Sequence, residues 1–363
     1  MSSKHDVVWD LSRHTAAKHA ILRRYLDAWF PILTSWRHRV LVIDGFAGPG
    51  EYTKSEPGSP QIMIDAAANH KANLSSSEII YIFIESDKPK FDRLQQVVSR
   101  KRDSNEIPPN MKIRTIHGEF ADYSSKIFEA LGSKSLPPAF VMVDPFGTKG
   151  VPLDIVAKFI KQPQCDVLIS LMTESMVRWL RSTELEPHLI KLFGADDWKE
   201  AASQPSGERA QFLCDLYVKK LTLSGAKFPR TFEMKDERNH TEYYLVFTTD
   251  SIAGLRAMKA AMWAVDPSGQ FKFSDTTNPQ QMTLFASTPN YKQLQEEILQ
   301  RYGGKEVSVS DLEDFIIAET AFLDTHYKRQ ILKPMESEGK LTIVKTPRKR
   351  KFSYPPGTVI RFG

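Results

Sequence analysis

The sequence predicts a mixed α/β fold class: a parallel sheet covered by helices, followed by a separate winged helix-turn-helix domain. Two observations predict it. In the first part of the chain, strand-length apolar segments alternate with helical stretches, as in a parallel sheet. After a stretch rich in chain-breaking residues, the order changes to three helices and a β hairpin, as in a winged helix-turn-helix. The length of 363 residues also leaves room for two domains.

The predicted strands are short runs that are apolar at nearly every position. Strands covered on both faces have this pattern, whereas half-exposed strands alternate. The strands predicted for the parallel part are 40–43, 79–84, 112–116, 140–143 and 167–171. The helices predicted between and before them are 15–30, 59–72, 88–102, 122–131 and 152–161. The first helix is expected to end at Pro31, and a strand pair at 230–234 and 242–249 is expected at the sheet edge.

The domain boundary is expected where Pro267, Gly269 and Pro279 interrupt the pattern. We therefore expect the sheet domain at 1–265, a linker at 266–285 and the winged helix at 286–363. Pro334 is expected to kink the third helix of the winged domain. The elements predicted in that domain are 291–302, 311–320, 324–338, 341–344 and 358–362.

Composition excludes several classes of protein. Cys165 and Cys214 are too few for a disulfide framework or a four-thiolate metal site, and both lie among apolar residues, so we expect buried thiols. The apolar runs fall far short of a membrane helix. The first residues carry charge without a following apolar core, so we expect no secretory signal and a cytoplasmic protein.

The charge of the C-terminal part needs its own explanation. The whole chain carries 49 basic against 44 acidic residues, a net charge of +5, which permits a nucleic-acid partner without requiring one. From 340 to 363, however, there are seven basic residues and no acidic one. The alternatives to nucleic-acid contact are a protein-docking module and a solvated loop. The residues expected to contact nucleic acid are Lys328, Arg329, Arg348, Lys349, Arg350 and Lys351.

Segment 41–50 joins a strand end to a glycine-rich turn. Its strand ends at Asp44, and Gly45, Gly48 and Gly50 follow. Glycines let the backbone approach a ligand closely, and a carboxylate at the strand's carboxyl end holds cationic or hydroxyl groups. The spacing is neither the dinucleotide fingerprint nor a P-loop. It favours another nucleotide-type site; the alternative is a tight βα turn without a ligand.

Glu85 ends the second predicted strand. A carboxylate at this position commonly accepts hydrogen bonds from both ribose hydroxyls of a bound nucleoside. Glu85 follows the glycine turn by more than the usual ~20 residues, and we assign the excess to an insertion around 56–77. The alternative is an ordinary solvated strand end.

Another predicted strand runs into Asp144-Pro145-Phe146-Gly147. This tetrapeptide resembles the Asp/Asn-Pro-Pro-aromatic motif of class I amino-methyltransferases, and its single proline is closer to the form in tRNA guanine N2-methyltransferases. The resemblance implies that Asp144 and the Pro145 carbonyl orient a target amine while Phe146 stacks on the substrate. Position and desolvation then supply most of the catalysis. The alternative is a strand that stops at a proline turn.

Together, the motifs are similar to those of the three-Cys-motif partner protein family. The similarity spans most of the chain and is carried by the run from Trp9 to Trp29, by 43–52, by 58–60 and by 143–147. It implies a Rossmann-like class I methyltransferase sheet with a C-terminal winged helix, S-adenosylmethionine as cofactor, and a partner protein that carries three cysteines. It leaves the substrate open.

The same resemblance assigns residues to the cofactor. Glu85 would contact the ribose, and Glu119 and Phe120 would lie beside the adenine. Lys18 shares a helix face with His14 and is expected to meet the cofactor carboxylate or a phosphate; the alternative is a pair of surface groups. The residues expected around the methionine and adenosine moieties are Asp44, Gly45, Phe46, Gly48 and Gly50.

These motifs predict an S-adenosylmethionine-dependent methyltransferase that acts on an exocyclic amine of a nucleobase in DNA or RNA, without a metal site. A competing hypothesis is a non-catalytic Rossmann-like protein that acts by binding its three-cysteine partner. A nuclease is a weaker hypothesis, because the sequence shows no compact cluster of carboxylates with Lys, and His117 and His188 have no spaced partners.

Overall fold

The computed structural model divides the chain into two compact units, Met1–Gly254 with Lys272–Asn278, and Leu255–Phe271 with Pro279–Gly363. Trp9, Phe146 and most of the predicted linker lie outside the described residues. The residues that the structure describes are 7–8, 10–145, 147, 150–236, 238–267, 272–274 and 289–363.

The N-terminal unit is built on an eight-stranded sheet with the order β3-β2-β1-β4-β5-β7-β6-β8. All of its pairings are parallel except the two made by β7, which is antiparallel to β5 and β6. The strands are β1 Arg39–Asp44, β2 Glu78–Glu85, β3 Met111–His117, β4 Ala139–Val143, β5 Cys165–Leu171, β6 Arg230–Lys235, β7 Thr241–Thr248 and β8 Lys272–Ser274. The predicted Rossmann-like sheet is confirmed, and every predicted strand lies within two residues of its observed bounds.

Helices cover both faces of this sheet, as parallel strands require. Cys165 and Cys214 are free and buried in the core, as predicted. The sequence pattern did not predict the helices after β5. The helices are α1 Arg13–Thr34, α2 Ser59–Ala68, α3 Lys88–Asp103, α4 Phe120–Leu131, α5 Leu153–Ile160, α6 Thr173–Arg178, α7 Glu186–Phe193 and α8 Arg209–Leu223. The next helix, α9 Ile252–Val265, lies mostly in the C-terminal unit.

The predicted end of the first helix at Pro31 is wrong, because α1 continues to Thr34. A proline inside a helix leaves the carbonyl four residues earlier without its N–H partner. That carbonyl belongs to Asp27, and it accepts a hydrogen bond from Nε2 of His70 at 2.9 Å. Since His70 Nδ1 accepts from the Ala72 N–H, the ring donates through Nε2. A tertiary contact thus replaces the lost helical bond.

The C-terminal unit has the predicted winged-helix order. Its three-stranded sheet has the order β10-β11-β9. Its strand β9 was not predicted. The elements are α10 Tyr291–Tyr302, β9 Glu306–Ser308, α11 Val309–Glu319, a π-helical turn Lys328–Leu332, α12 Lys333–Ser337, β10 Leu341–Lys345 and β11 Val359–Phe362.

Pro334 is accommodated by the π-helical turn that precedes it. The Lys333 N–H bonds to the Lys328 carbonyl, a five-residue step instead of four. Such a wider turn moves backbone carbonyls away from the proline ring, which would otherwise clash with one of them. The sequence identified the irregular position, and the structure shows its form.

The predicted boundary at 265/266 is also displaced. Most of α9 belongs to the C-terminal unit, whose residues begin at Leu255. Lys259 is fully buried, and its ammonium donates to the carbonyls of Ile316, Ile317 and Thr320 at 2.9–3.0 Å, which satisfies the end of α11. A helix-terminal contact of this kind is not visible in local sequence. Within the described residues, no helix is long and apolar enough to span a bilayer.

Candidate functional site

The candidate site lies where the strand order reverses. Strands β1 and β4 are adjacent and parallel, with Asp44 opposite Met142, although β2 and β3 lie on the other side of β1. The crevice beyond the carboxyl ends of two such strands is the usual ligand site of open α/β sheets. Asp44 ends β1 and Asp144 follows β4, so the fold brings both predicted carboxylates to this crevice.

The three glycines of the turn after β1 have different roles. Gly48 has a positive φ of 62°, and a Cβ added there would meet no atom within 4 Å. In contrast, a Cβ on Gly45 would lie 2.6 Å from the Phe120 ring, and one on Gly50, also at positive φ, would touch Leu94 at 3.1 Å. The structure therefore explains Gly45 and Gly50 by packing and backbone geometry, and only Gly48 faces open space.

Glu85 is held against this turn. Its side chain is buried, with Oε2 accepting from the Gly48 N–H and Oε1 from the Asp87 N–H, both at 2.8 Å. Each carboxylate oxygen has two acceptor positions, so one remains on each oxygen. Gly118, which donates to the Glu85 carbonyl at 3.1 Å, also has open space at its Cβ position. Glu85 thus has the geometry of a fixed bidentate acceptor.

Asp44 is fully buried, and burial raises its pKa to about 7. The Ser59 hydroxyl and the Phe46 N–H donate to its two oxygens at 2.6 and 3.1 Å and partly oppose that rise, while the nearby Asp144 charge adds to it. A pKa in this range makes both the neutral and the ionised carboxyl accessible near neutral pH. A cationic ligand in the crevice would favour the ionised form.

Asp144 differs from Asp44 because it has a cationic partner. Lys18 of α1 donates its ammonium to Asp144 Oδ2. Burial opposes ionisation of Asp144, but the Lys18 charge and hydrogen bond, together with a hydrogen bond from Ser170, lower its pKa. Two carboxyls at one sheet edge thus have opposite pKa shifts, which is typical of functional sites.

Aromatic and imidazole rings surround this pair. The Lys18 ammonium lies 5.6 Å from the centre of the Tyr243 ring. His19 is buried, and burial followed by the Lys18 charge lowers its pKa to about 3, so it is neutral. Its ring lies 5.7 Å from that of Tyr52, whose pKa is raised by burial and by the two carboxylates.

The sequence pattern indicated no role for Tyr52, Ser59, Ser170 or Tyr243. A signal was available for Ser170, which is the single polar residue in the otherwise apolar run 167–171. Tyr52 and Ser59 stand within the motifs quoted for the family resemblance, but their pattern does not indicate which way they point. Tyr243 reaches Lys18 only because β7 inserts between β5 and β6, which no local pattern predicts.

Several predicted site residues lie elsewhere or serve other purposes. Phe120 is 2% exposed, with its ring packed against those of Phe46 and Phe159, so it belongs to the core and presents no free face to an adenine. Glu119 is exposed at the start of α4. Phe146 lies outside the described residues, whereas Pro145 is buried and Gly147 has a positive φ of 75° with open space beside it.

The predicted nucleic-acid residues of the C-terminal unit divide into two groups. Arg348 donates both guanidinium nitrogens to Glu336 at 2.9 and 3.0 Å, so its fork is already occupied. Lys328 pairs with Glu313 at 2.6 Å. These two contacts make both residues part of the domain's own structure. The remaining predicted residues are exposed: Arg329, Lys349, Arg350 and Lys351.

Comparison with known proteins identifies the C-terminal part. Residues 272–348 match a family model described as a GMT-like wHTH domain. Thus the predicted winged helix is confirmed. No curated protein matches the chain.

Solved structures resemble the larger part of the chain at low identity. Trm1 from Pyrococcus horikoshii with S-adenosyl-L-methionine matches at 10% identity and a TM-score of 0.38, over 68% of this chain and 57% of that one. A putative O-methyltransferase from Klebsiella pneumoniae matches at 11% identity and a TM-score of 0.34, over 69% of this chain and 84% of that one. Human methyltransferase-like protein 13 with SAH matches at 12% identity and a TM-score of 0.35, over 70% of this chain and 92% of that one. The chain thus spans 57% of the length of that Trm1.

All three TM-scores are below 0.5, so the fold is established from this chain's own strand order. Five parallel strands have the order β3-β2-β1-β4-β5, and the antiparallel β7 lies between β5 and β6. Together they form the predicted class I methyltransferase-like sheet. The fold class is therefore a Rossmann-like sheet of this type with a C-terminal winged helix.

Proposed function

We propose that the chain is an S-adenosylmethionine-dependent methyltransferase that acts on an exocyclic amine of a nucleobase in DNA or RNA. One observation carries the proposal: Asp44 and Glu85 end β1 and β2, and Asp144 directly follows β4, so three carboxylates lie at the carboxyl ends of three adjacent parallel strands. Its test is binding of the cofactor, followed by a search for methylated nucleic acid.

The residues at this edge fit the chemical groups of that cofactor. Glu85 keeps one acceptor position on each oxygen, which suits two adjacent ribose hydroxyls. The open space at Gly48 allows close approach to the backbone beside Glu85. The Asp44 carboxyl supplies negative charge for an amino or sulfonium group. When bound, S-adenosylmethionine supplies an electrophilic methyl group.

The contact between Lys18 and Asp144 supports the role proposed for Asp144. The Asp144 oxygen already accepts a hydrogen bond from a nitrogen, the Lys18 ammonium, so it lies where a nitrogen donor can reach it. A target amine held there would be desolvated and oriented, and orientation is the larger part of the catalytic effect in such transfers. Ser170 fixes Asp144 from the strand beside it.

The nucleic-acid part of the proposal rests on the exposed basic residues of the C-terminal unit. Lys349, Arg350 and Lys351 lie between β10 and β11, in the position of a wing, and Arg329 lies on the helical segment before α12. Exposed basic side chains neutralise phosphates and release counterions. This contact provides affinity and leaves base recognition to other residues.

One observation favours the competing proposal of a regulatory protein that binds a three-cysteine partner. Both key carboxylates are already engaged by the chain's own donors, Asp144 by Lys18 and Glu85 by two backbone N–H groups. A scaffold would keep such contacts permanently. An enzyme must exchange the contact of Asp144 with Lys18 for a contact with its target amine.

Calorimetric titration with S-adenosylmethionine and S-adenosylhomocysteine separates the two proposals. We expect micromolar binding that is lost in Asp44→Ala and Glu85→Ala but kept in Asp65→Ala, since Asp65 pairs with Lys101 outside the crevice. Absence of binding, with and without the partner protein, would overturn the enzyme proposal. Binding that all three variants retain would place the cofactor elsewhere.

A further inference from the structure

Lys18 occupies the position that the proposed function gives to the target amine. Its ammonium is bonded to Asp144 Oδ2, although the two residues are 126 positions apart in the sequence. Lys18 is only 7% exposed, so this contact is part of the packed structure and not a surface ion pair. A primary amine of the chain itself therefore lies on the proposed acceptor oxygen.

The surroundings of the Lys18 nitrogen suit an alkylammonium before and after methylation. One side is the Asp144 carboxylate, and another is the face of Tyr243, 5.6 Å away. Aromatic faces attract ammonium and methylated ammonium groups alike. The adjacent His19 is neutral and adds no competing charge. Added methyl groups would keep the positive charge, and with it the ion pair and the attraction to the Tyr243 face; only a third methyl group would remove the last N–H that donates to Asp144.

We propose that Lys18 is a methyl acceptor and that the chain methylates itself there when no other target displaces it. The proposal rests on the proposed function and uses the same methylsulfonium donor. The ammonium first loses a proton to water. The nitrogen lone pair then forms a bond to the methyl carbon, the bond from carbon to sulfur breaks, and its electron pair remains on sulfur as a neutral thioether.

A second buried, ion-paired lysine provides a matched control in the same molecule. Lys101 is 8% exposed, and its ammonium bonds to Asp65 and Glu106 at 2.7 and 2.8 Å. It resembles Lys18 in burial and pairing but lies on α3, outside the crevice. Methylation driven by lysine chemistry alone would treat the two alike, whereas methylation driven by the site would select Lys18.

The test is peptide mass spectrometry of the full chain after incubation with S-adenosylmethionine, on a sample whose cofactor binding has been measured by calorimetry. We expect a mass gain of one to three methyl groups on the Lys18 peptide, at a rate independent of protein concentration, and none on Lys101. In Asp144→Ala, which removes the acceptor oxygen, the gain should be lost. Equal gain on both lysines, or an unmodified Lys18 in a sample that binds the cofactor, would overturn self-methylation. The latter outcome leaves the proposed function standing, whereas failure to bind the cofactor removes both.

A second readout needs no cofactor. In the ligand-free chain, acetylation of Lys18 by an amine-reactive ester should be slow and should become faster in Asp144→Asn, because the ion pair protects the nitrogen. Lys101 should react at the same rate in both proteins. If Lys18 reacts equally fast in both, it does not occupy the acceptor, and the proposal fails whatever the cofactor does.

Discussion

The crevice of the N-terminal unit and the wing of the C-terminal unit each contain an ion pair between a basic residue and a distant carboxylate, but the two pairs differ in what surrounds them. Lys18 and Asp144 meet at the switch point, beside a second carboxyl and three rings. Arg348 and Glu336 meet in a bidentate contact that the Tyr354 hydroxyl completes at 2.6 Å.

This difference shows which kind of sequence pattern identifies functional residues reliably. Carboxylates at the carboxyl ends of parallel strands lie close together because those strand ends share one edge of the sheet. A run of basic residues has no such constraint, and one member of it, Arg348, is used to hold the wing to the helix of Glu336. Position relative to a sheet is therefore stronger evidence than a cluster of like charges.

The largest effect is expected at the crevice. Replacing Asp144 with Ala should lower turnover by about 100-fold or more while the cofactor dissociation constant changes little, because the target amine loses its orienting acceptor. Turnover and calorimetric binding measure the two quantities. Asp65→Ala, which removes a carboxylate from the buried Lys101, should leave turnover within about twofold. Retained turnover in Asp144→Ala would disprove the role given to Asp144.

An intermediate effect is expected in the wing. Replacing Lys349, Arg350 and Lys351 together with Ala should reduce the slope of log affinity against log salt for duplex DNA by about 2 to 3, since each phosphate contact contributes about 0.9. Arg348→Ala is the contrast: it should destabilise the C-terminal unit by about 2 kcal/mol, the value of a hydrogen-bonded charge, and leave the slope unchanged.

Fluorescence titrations at several salt concentrations measure the slope, and hydrogen exchange of the C-terminal amides measures the stability. If Arg348→Ala lowers the slope by one third of the reduction seen in the triple variant, Arg348 contributes one phosphate contact despite its pairing with Glu336. The distinction between free and engaged basic residues would then be wrong.

The smallest effect concerns Asp44. Its pKa is about 7 in the ligand-free chain, and a bound sulfonium should lower that pKa. Binding then releases a proton at pH values between the two pKa values, so affinity for S-adenosylmethionine should rise with pH, by at most about tenfold per unit, and level off above about pH 7. S-adenosylhomocysteine, which lacks the sulfonium charge, should show a weaker dependence.

Calorimetry across this pH range, in buffers of different ionisation enthalpy, measures both the affinity and the released proton. In Asp44→Asn the dependence should flatten, because the amide does not titrate. Affinities that fall as the pH rises, or equal pH profiles for the two ligands, would show that Asp44 does not face the charged part of the cofactor.

Packing contacts distinguish residues that the sequence pattern treats alike, by showing which face open space and which fill the core. The pattern treats Gly45, Gly48 and Gly50 as equivalent, yet only Gly48 faces open space, because Phe120 and Leu94 lie against the other two. Likewise, Phe120 stands after a strand like a ligand-binding residue but fills the core. Sequence spacing gives the position of a residue along an element and does not give the neighbour that its side chain meets.

By itself, the sequence determined the fold class, the parallel strands and the carboxylates at their ends, because apolar runs between helices have few stable arrangements and strand ends have fixed places in them. Only the tertiary structure decided the contacts between distant segments. These include Lys18 on Asp144, His70 on the carbonyl freed by Pro31, and Arg348 on Glu336. Such contacts depend on side-chain direction after folding, which no local pattern encodes.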